Sequence, residues 1–502
     1  MTGNVTSIRH SLRTPAPSDR ARWIALVVVC VGFLMIILDQ TIVNVALPSI
    51  RDDLGFSQSS LAWVVNAYLI AFGGLLLLAG RLGDLIGRKT IFMVGLGVFT
   101  GASLLCGMAQ TQAMLIAARF VQGAGGAMTA AVILGMIVTM FPEPREQAKA
   151  IGVYSFVASA GASIGLLAGG VLTEAINWHW IFFVNLPIGV TTALAANRLL
   201  ERDRGIGLGR GADVLGAVQV TSALMLTVYT IVRASDYGWA SAHTLGVGAA
   251  ALALLVAFVV RQSRTPNPLV PLRIFRSRVV SGANLVQALM VAGLFGMFFL
   301  GSLYLQRVLG YSAIEIGLAF LPVALLIGTL SLGLSARLNG RFGAKATLLP
   351  ALALIIAGLA IFARAPEGAG YAMDILPVMV LLGIGAGLAF PSLMTLAMSG
   401  ATRSDSGLAS GLVNTTQQVG GAVGLAVLAT LSTTRTDGLL ADGKPLTFAL
   451  TSGYHVAFVV AGALVVTALG LALTVLPSNT VVVEDAPETE LVEAEPAYSE
   501  AA

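Results

Sequence analysis

Charge is what this 502-residue sequence has least of: Asp, Glu, Lys and Arg make up 11% of it, against about a quarter in soluble domains. With 56% hydrophobic residues and a mean hydropathy of +0.87, a water-soluble globule could not bury its own apolar surface. The chain therefore reads as an all-α polytopic membrane protein. Its formal charge is only +4, and no basic block is dense enough for nucleic acid. Cysteine is almost missing too. Cys30 and Cys106 each sit inside an apolar run, which speaks against a disulfide framework and leaves the compartment open. The four histidines, His10, His179, His243 and His455, are scattered, so no metal-ligand spacing arises. Neither a nucleophile elbow nor the glycine-rich loop that cradles ATP phosphates is present. No enzyme is expected and no cofactor, so work done by this protein has to draw on an ion gradient.

What the chain does have is apolar runs of about 20 residues, enough to cross a bilayer as helix. They fall near 23–48, 60–79, 90–109, 113–139, 149–172, 180–199, 213–232, 242–261, 280–303, 312–334, 345–363, 374–397, 407–431 and 453–476. Fourteen spans put both ends on one side, and the positive-inside rule names the side. With a cytoplasmic N-terminus, 22 of the 29 basic residues fall in inner segments and six in outer ones, Arg119 inside the fourth span being the last. One missed helix would invert every later loop. Arg9, Arg13, Arg20 and Arg22 before the first run resemble the start of a secretory signal, but the run is too long and lacks a small-residue cleavage site, so a retained helix is expected.

Two inner connections are longer than the rest: 200–212, with three arginines and two acids, and 262–279, with Pro266, Pro268 and Pro271. They bracket spans 7 and 8. The expected organisation is a cytoplasmic tail (1–22), a six-helix bundle (23–199), linkers holding an inserted helix pair (200–279), a second six-helix bundle (280–476) and an acidic, disordered tail (477–502). The longest outer loop is expected at 432–452.

One carboxylate stands out. In Leu38-Asp39-Gln40-Thr41-Ile42-Val43-Asn44-Val45-Ala46-Leu47-Pro48, Asp39 lies inside the first span, roughly 13 Å from its outer end at 1.5 Å per residue. Arg119 enters the fourth span roughly 10 Å from the same face. An ionisable group at bilayer depth is costly and usually faces a bundle interior on a proton, ion or substrate path. Burial favours a neutral carboxyl and a nearby cation a charged one, so a changing environment could load and release a proton there. The alternative is a static buried ion pair holding two helices together.

Four stretches carry a resemblance. The loop Gly80-Arg81-Leu82-Gly83-Asp84-Leu85-Ile86-Gly87-Arg88-Lys89-Thr90 resembles the signature loop of the major facilitator superfamily, and the Asp39 stretch the first-helix motif of its fourteen-helix drug:proton antiporters. Arg119-Phe120-Val121-Gln122-Gly123-Ala124-Gly125-Gly126 resembles that family's fourth-helix motif. Trp178-His179-Trp180-Ile181-Phe182-Phe183-Val184-Asn185-Leu186-Pro187-Ile188-Gly189 is similar to its entry to the sixth, with His179 where arginine is usual. A weaker echo, Leu338-Asn339-Gly340-Arg341-Phe342-Gly343-Ala344-Lys345, falls about 256 residues after the signature loop, as a duplicated half would require, with Gly340 where Asp84 would be.

The resemblance implies the major facilitator fold and proton-coupled efflux of hydrophobic antimicrobial compounds, neutral or cationic, by a monomer in the bacterial plasma membrane. Asp39 and Arg119 would couple protons. Asp84, with Arg88, Gly80 and Gly87, would form a conformational latch, against the plain alternative of a positive-inside turn. Gly161, Gly165, Gly169 and Gly170 match the antiporter motif, though Leu166 replaces its usual proline, and close helix packing alone explains such a ridge as well. Asn44, Asn66, Tyr68, Gln122, Tyr304, Gln306, Asn414, Gln417 and Gln418 are candidates for a midplane cavity or for ordinary helix contacts; Met and Phe stripes read as core or lipid-facing. The thirteenth span lacks the acid that receives dicationic drugs in some relatives. An importer or narrow metabolite exporter of the same fold, and a non-transporting sensor or scaffold, are the competing readings.

Overall fold

A backbone in lipid has no water to bond, so it must satisfy itself within helices. The computed structural model follows that rule. It describes residues 19–477 except 142, 202, 204, 206, 208–212, 267 and 400–405. The expected tails and most of the 200–212 connection lie largely outside the described residues. In chain order the helices are α1 (Asp19–Leu54), α2 (Gln58–Ile86), α3 (Arg88–Gly107), α4 (Gln112–Met140), α5 (Pro144–Ala175), α6 (Trp180–Phe183), α7 (Asn185–Leu199), α8 (Val214–Tyr237), α9 (Ala242–Arg264), α10 (Arg278–Arg307), α11 (Ala313–Thr329), α12 (Ser335–Phe342), α13 (Ala344–Phe362), α14 (Leu376–Ser399), α15 (Ser406–Ala441) and α16 (Leu446–Val475). All fourteen expected runs are helical. Span 6 is divided between α6 and α7, and span 10 passes from α11 through a π-turn at Leu330–Leu334 toward α12. Eleven helices among the described residues are long and apolar enough to cross a bilayer.

The expected outer loop at 432–452 is a correction. α15 continues to Ala441 and α16 begins at Leu446, leaving a four-residue turn. Arg435 and Asp437 end the apolar run, but a helix leaving the hydrocarbon keeps its backbone bonds while its charged side chains enter water. Arg435 Nε donates to Ser452 Oγ at 3.2 Å and ties the emerging ends together.

Helices α1 to α7 pack mainly on one another, as do α10 to α16. The two groups meet along α2 with α15 and α5 with α11. At the second seam, Ile314 N–H of α11 donates to Glu174 Oε2 of α5 at 3.2 Å. The pair α8 and α9 lies outside both groups, with α8 packed on α2 and α15 together.

The sequence echo has a local structural counterpart. Gly87 and Gly343 hold φ of +106° and +88°, a region L side chains avoid, and each turns the chain into the next helix. Two residues on, Lys89 Nζ donates to the carbonyls of Asn197 and Leu200 at the end of α7. Lys345 Nζ donates likewise to Leu473 and Leu476 at the end of α16. A cation bonded to the orphan carbonyls of a helix C-terminus is favourable on both hydrogen-bond and dipole grounds.

The inserted pair is pinned by Asp213. Its carboxylate caps α8 through Gly216 N–H (2.9 Å) and accepts from Arg261 Nε (2.6 Å) and Gln262 Nε2 (2.7 Å) of α9. Burial pushes this carboxyl up, but those three donors outweigh burial and hold it below the ordinary carboxylate range. A depressed acid stabilises the fold above its unfolded pKa, and that contribution is lost as pH falls through the folded value. Asp213→Ala is expected to cost about 2 kcal/mol, a difference that shrinks with acidification. Unfolding of detergent-solubilised protein between neutral and acidic pH measures it, and an equal cost at both ends would refute the assignment.

Candidate functional site

Asp39 projects from the middle of α1 and is fully buried. The ridge on α5 brings α1 close: a Cβ added at Gly161 would lie 2.8 Å from Leu34, one at Gly169 2.8 Å from the Ile42 carbonyl, and one at Gly165 would overlap Thr41 Oγ1. Gly170 faces the other way, where an added Cβ would meet the Ala313 carbonyl of α11 at 2.8 Å. Three glycines of the motif thus seat the Asp39 helix, and the fourth seats the opposite group.

Around Asp39 four helices converge. Arg119 Nη1 of α4 donates to Asp39 Oδ2 at 2.6 Å and to Gln122 Oε1 at 2.6 Å. Gln122 Nε2 donates to Asp39 Oδ1 at 2.7 Å and to Ser103 Oγ of α3 at 2.7 Å. Asn185 Nδ2, at the start of α7, donates to Asp39 Oδ1 at 3.0 Å. Cys106 Sγ donates to Gln122 Oε1 at 3.6 Å. Arg119 Nε is taken by the Val64 carbonyl of α2 at 2.9 Å, and the guanidinium lies 4.4 Å over the Tyr68 ring. Three donors and no acceptor face the carboxylate, the set an ionised acid uses. Asn185 Oδ1 is buried without a partner, leaving an unused acceptor on an amide already bonded to Asp39.

Beside this network lies a cavity of about 400 Å³ between the two helix groups, within the range of small-molecule sites. Of the sequence candidates, Asn44, Tyr68 and Gln417 line it together with Arg119, whereas Asp39 does not reach it. Gln122 belongs to the Asp39 network. Asn66 is fully buried with both amide atoms unpartnered and lies off the cavity wall. Tyr304 is committed elsewhere, its hydroxyl donating to the Pro366 carbonyl at 2.6 Å, and neither it nor Gln306 borders the cavity. Gln418 packs its Cβ toward Gly73, Asn414 is exposed, and both stand off the wall. Phe295, Phe298, Phe299 and Phe390, expected as core or lipid-facing, line the cavity instead. An interior pocket in lipid is walled by the same side chains as its surroundings, so composition could not mark them. Ser103 went unmarked as well, and Asn185 was visible only as part of a motif.

In the signature loop, Arg88 Nη2 pairs with Asp84 Oδ1 at 3.3 Å, and Arg88 Nη1 donates to the Gly135 carbonyl and Thr139 Oγ1 of α4. An acid of the long connection, Asp203, caps α3 by accepting from Arg88 N–H (2.7 Å) and Lys89 N–H (3.1 Å). Gly87 is needed beneath it, since an added Cβ would lie 2.8 Å from the Asp203 carbonyl. Gly80 has ordinary spacing to Ala131.

Known proteins resemble the chain throughout. The puromycin resistance protein pur8 of Streptomyces alboniger is 39% identical over 485 residues, 95% of this chain and 96% of that one. The cephamycin export protein CmcT of Amycolatopsis lactamdurans is 38% identical over 91% and 93%. Among solved structures, a bacterial homolog of the human lysosomal transporter Spinster, inward-facing and unoccupied, superposes with a TM-score of 0.66 at 17% identity, covering 92% of this chain and 98% of that one, a likeness of fold. The family model of the Major Facilitator Superfamily matches residues 29–425. With that match and relatives of such identity along nearly its whole length, the chain belongs to the Major Facilitator Superfamily: a multi-pass membrane transporter and not an enzyme.

Proposed function

We propose that the protein exports hydrophobic antimicrobial compounds in exchange for protons, alternating access between its two helix groups in the bacterial plasma membrane with both termini cytoplasmic. The export of antibiotics rests on the relatives named for puromycin resistance and cephamycin export. The proton rests on one observation: Arg119, the one cation bonded to Asp39 among the described residues, also borders the cavity. A compound entering the cavity therefore meets the counter-ion of the buried acid. When it draws on Arg119, Asp39 loses the partner of its charged form and takes up a proton. The neutral acid needs an acceptor, and a turn of the Asn185 amide presents Oδ1, which has no partner among the described residues. Asp84, paired within its own loop here, would serve as the latch that breaks and reforms as the groups rock.

Purified protein in liposomes loaded with a pH-sensitive dye tests the reading. Proton movement that depends on any member of an added panel of lipophilic anions, cations and neutral compounds supports antiport. Drug movement with no proton signal leaves a uniporter or importer of the same fold, and no movement at all favours a sensor or scaffold.

A further inference from the structure

The cavity holds one ionised side chain, and it is a cation. Apart from the Tyr68 phenol, Arg119 is the sole titratable residue among the described residues of a wall otherwise made of apolar groups, amides and hydroxyls, and no carboxylate is among them. Asp39 cancels the charge of Arg119 but does so from behind, sealed among Gln122, Asn185 and Arg119 itself. Nε is taken by Val64 and Nη1 by Asp39 and Gln122, so both Nη2 hydrogens lack a protein acceptor among the described residues. The side chain carrying them is 98% buried. Nη2 itself is open to the cavity that Arg119 borders, so a ligand oxygen can reach it. The Tyr68 ring, which could have received a ligand cation, already carries the guanidinium at 4.4 Å.

We infer that this cavity selects lipophilic organic acids, whose anionic oxygens bond the Nη2 edge of Arg119 while their apolar bodies lie against Phe295, Phe298 and Phe390, and that it rejects lipophilic cations. The inference rests on the reading of this cavity as the substrate site and narrows it to one charge class. The planar fork of a guanidinium suits a carboxylate or sulfonate, and low-dielectric walls strengthen attraction and repulsion alike. An anion seated there competes with Asp39 for the same guanidinium, so binding substrate and releasing Asp39 become one event.

Two xanthene dyes of similar shape test it: eosin Y, an anion, and rhodamine 6G, a cation. Their equilibrium binding to the full-length protein in nanodiscs of zwitterionic lipid, without a gradient, is read by fluorescence anisotropy. The wild type is expected to bind eosin Y roughly tenfold more tightly or better. Asn44→Asp, which sets a carboxylate on the cavity wall and leaves Arg119 in place, should reverse that order. Arg119→Gln should erase it, with saturable Nile red binding as the check that the cavity has survived. A wild-type preference for rhodamine 6G, or Asn44→Asp without effect on the order, overturns the inference while leaving proton exchange standing. Absence of saturable binding by either dye overturns it together with the cavity as substrate site. Because no gradient is applied, the binding order of the two dyes is read independently of the transport outcome in liposomes.

Discussion

Asp39→Asn is expected to abolish gradient-driven efflux while the protein still folds, inserts and binds substrate. Asparagine keeps the shape of the side chain and one acceptor oxygen for Arg119 Nη1, now 2.6 Å from Asp39 Oδ2. Breaking a buried pair from one side costs about 3–5 kcal/mol. Here the low end is expected because Arg119 borders the cavity and keeps one acceptor, while the Gln122 and Asn185 amides that now donate to Asp39 can turn to meet the new amide. What disappears is the one carboxyl of the network, the group that proton exchange requires. Efflux driven by an applied proton gradient, measured in inverted vesicles with matched protein levels, should fall to the empty-vesicle background. Equilibrium exchange of labelled compound, which needs no proton, should persist. Efflux at the wild-type rate would show that coupling lies elsewhere and that the buried pair only joins α1 to α4.

Arg119→Met should be the more damaging change. Removing the guanidinium leaves a carboxylate fully buried with two amide donors and no cation, and breaking a buried pair from one side costs about 3–5 kcal/mol. The Val64 carbonyl and the Tyr68 ring face lose their partner as well. Asp39→Leu combined with Arg119→Met removes both charges, and buried pairs replaced by apolar residues are often nearly neutral, so most of the loss should be recovered. Thermal unfolding in detergent separates the outcomes. A double variant that folds yet carries no proton-coupled efflux assigns the pair to transport, whereas one as damaged as Arg119→Met alone would mean that the network of Ser103, Gln122 and Asn185 collapses without its charges.

Depth was legible in the sequence and direction was not. Counting residues from the span ends placed Asp39 and Arg119 at similar depth, and they meet. The same count says nothing of azimuth, and there the candidates divided. Asn44, Tyr68 and Gln417 face the cavity, while Tyr304 turns to the Pro366 carbonyl and Gln418 to Gly73. The four phenylalanines on the cavity wall were the largest omission. The spacing of Gly161, Gly165 and Gly169 announced a bare ridge, but the register that seats it on α1 and sends Gly170 to α11 is a matter of packing.

The sequence by itself determined that this chain is a stack of apolar helices, how many runs it has, and that one acid and one arginine are submerged in them. Those follow from one-dimensional quantities: the length of a run, the scarcity of charge, the distance of a residue from the end of its span. Only the tertiary structure decided that Arg119 stands between the acid and the cavity, that Ser103 and Asn185 complete the network, and which aromatic faces turn inward. In water an apolar stripe tells a helix which side to bury. In lipid the outside is as apolar as the core, so faces are sorted by small residues and polar contacts between helices, which exist only once the helices are assembled.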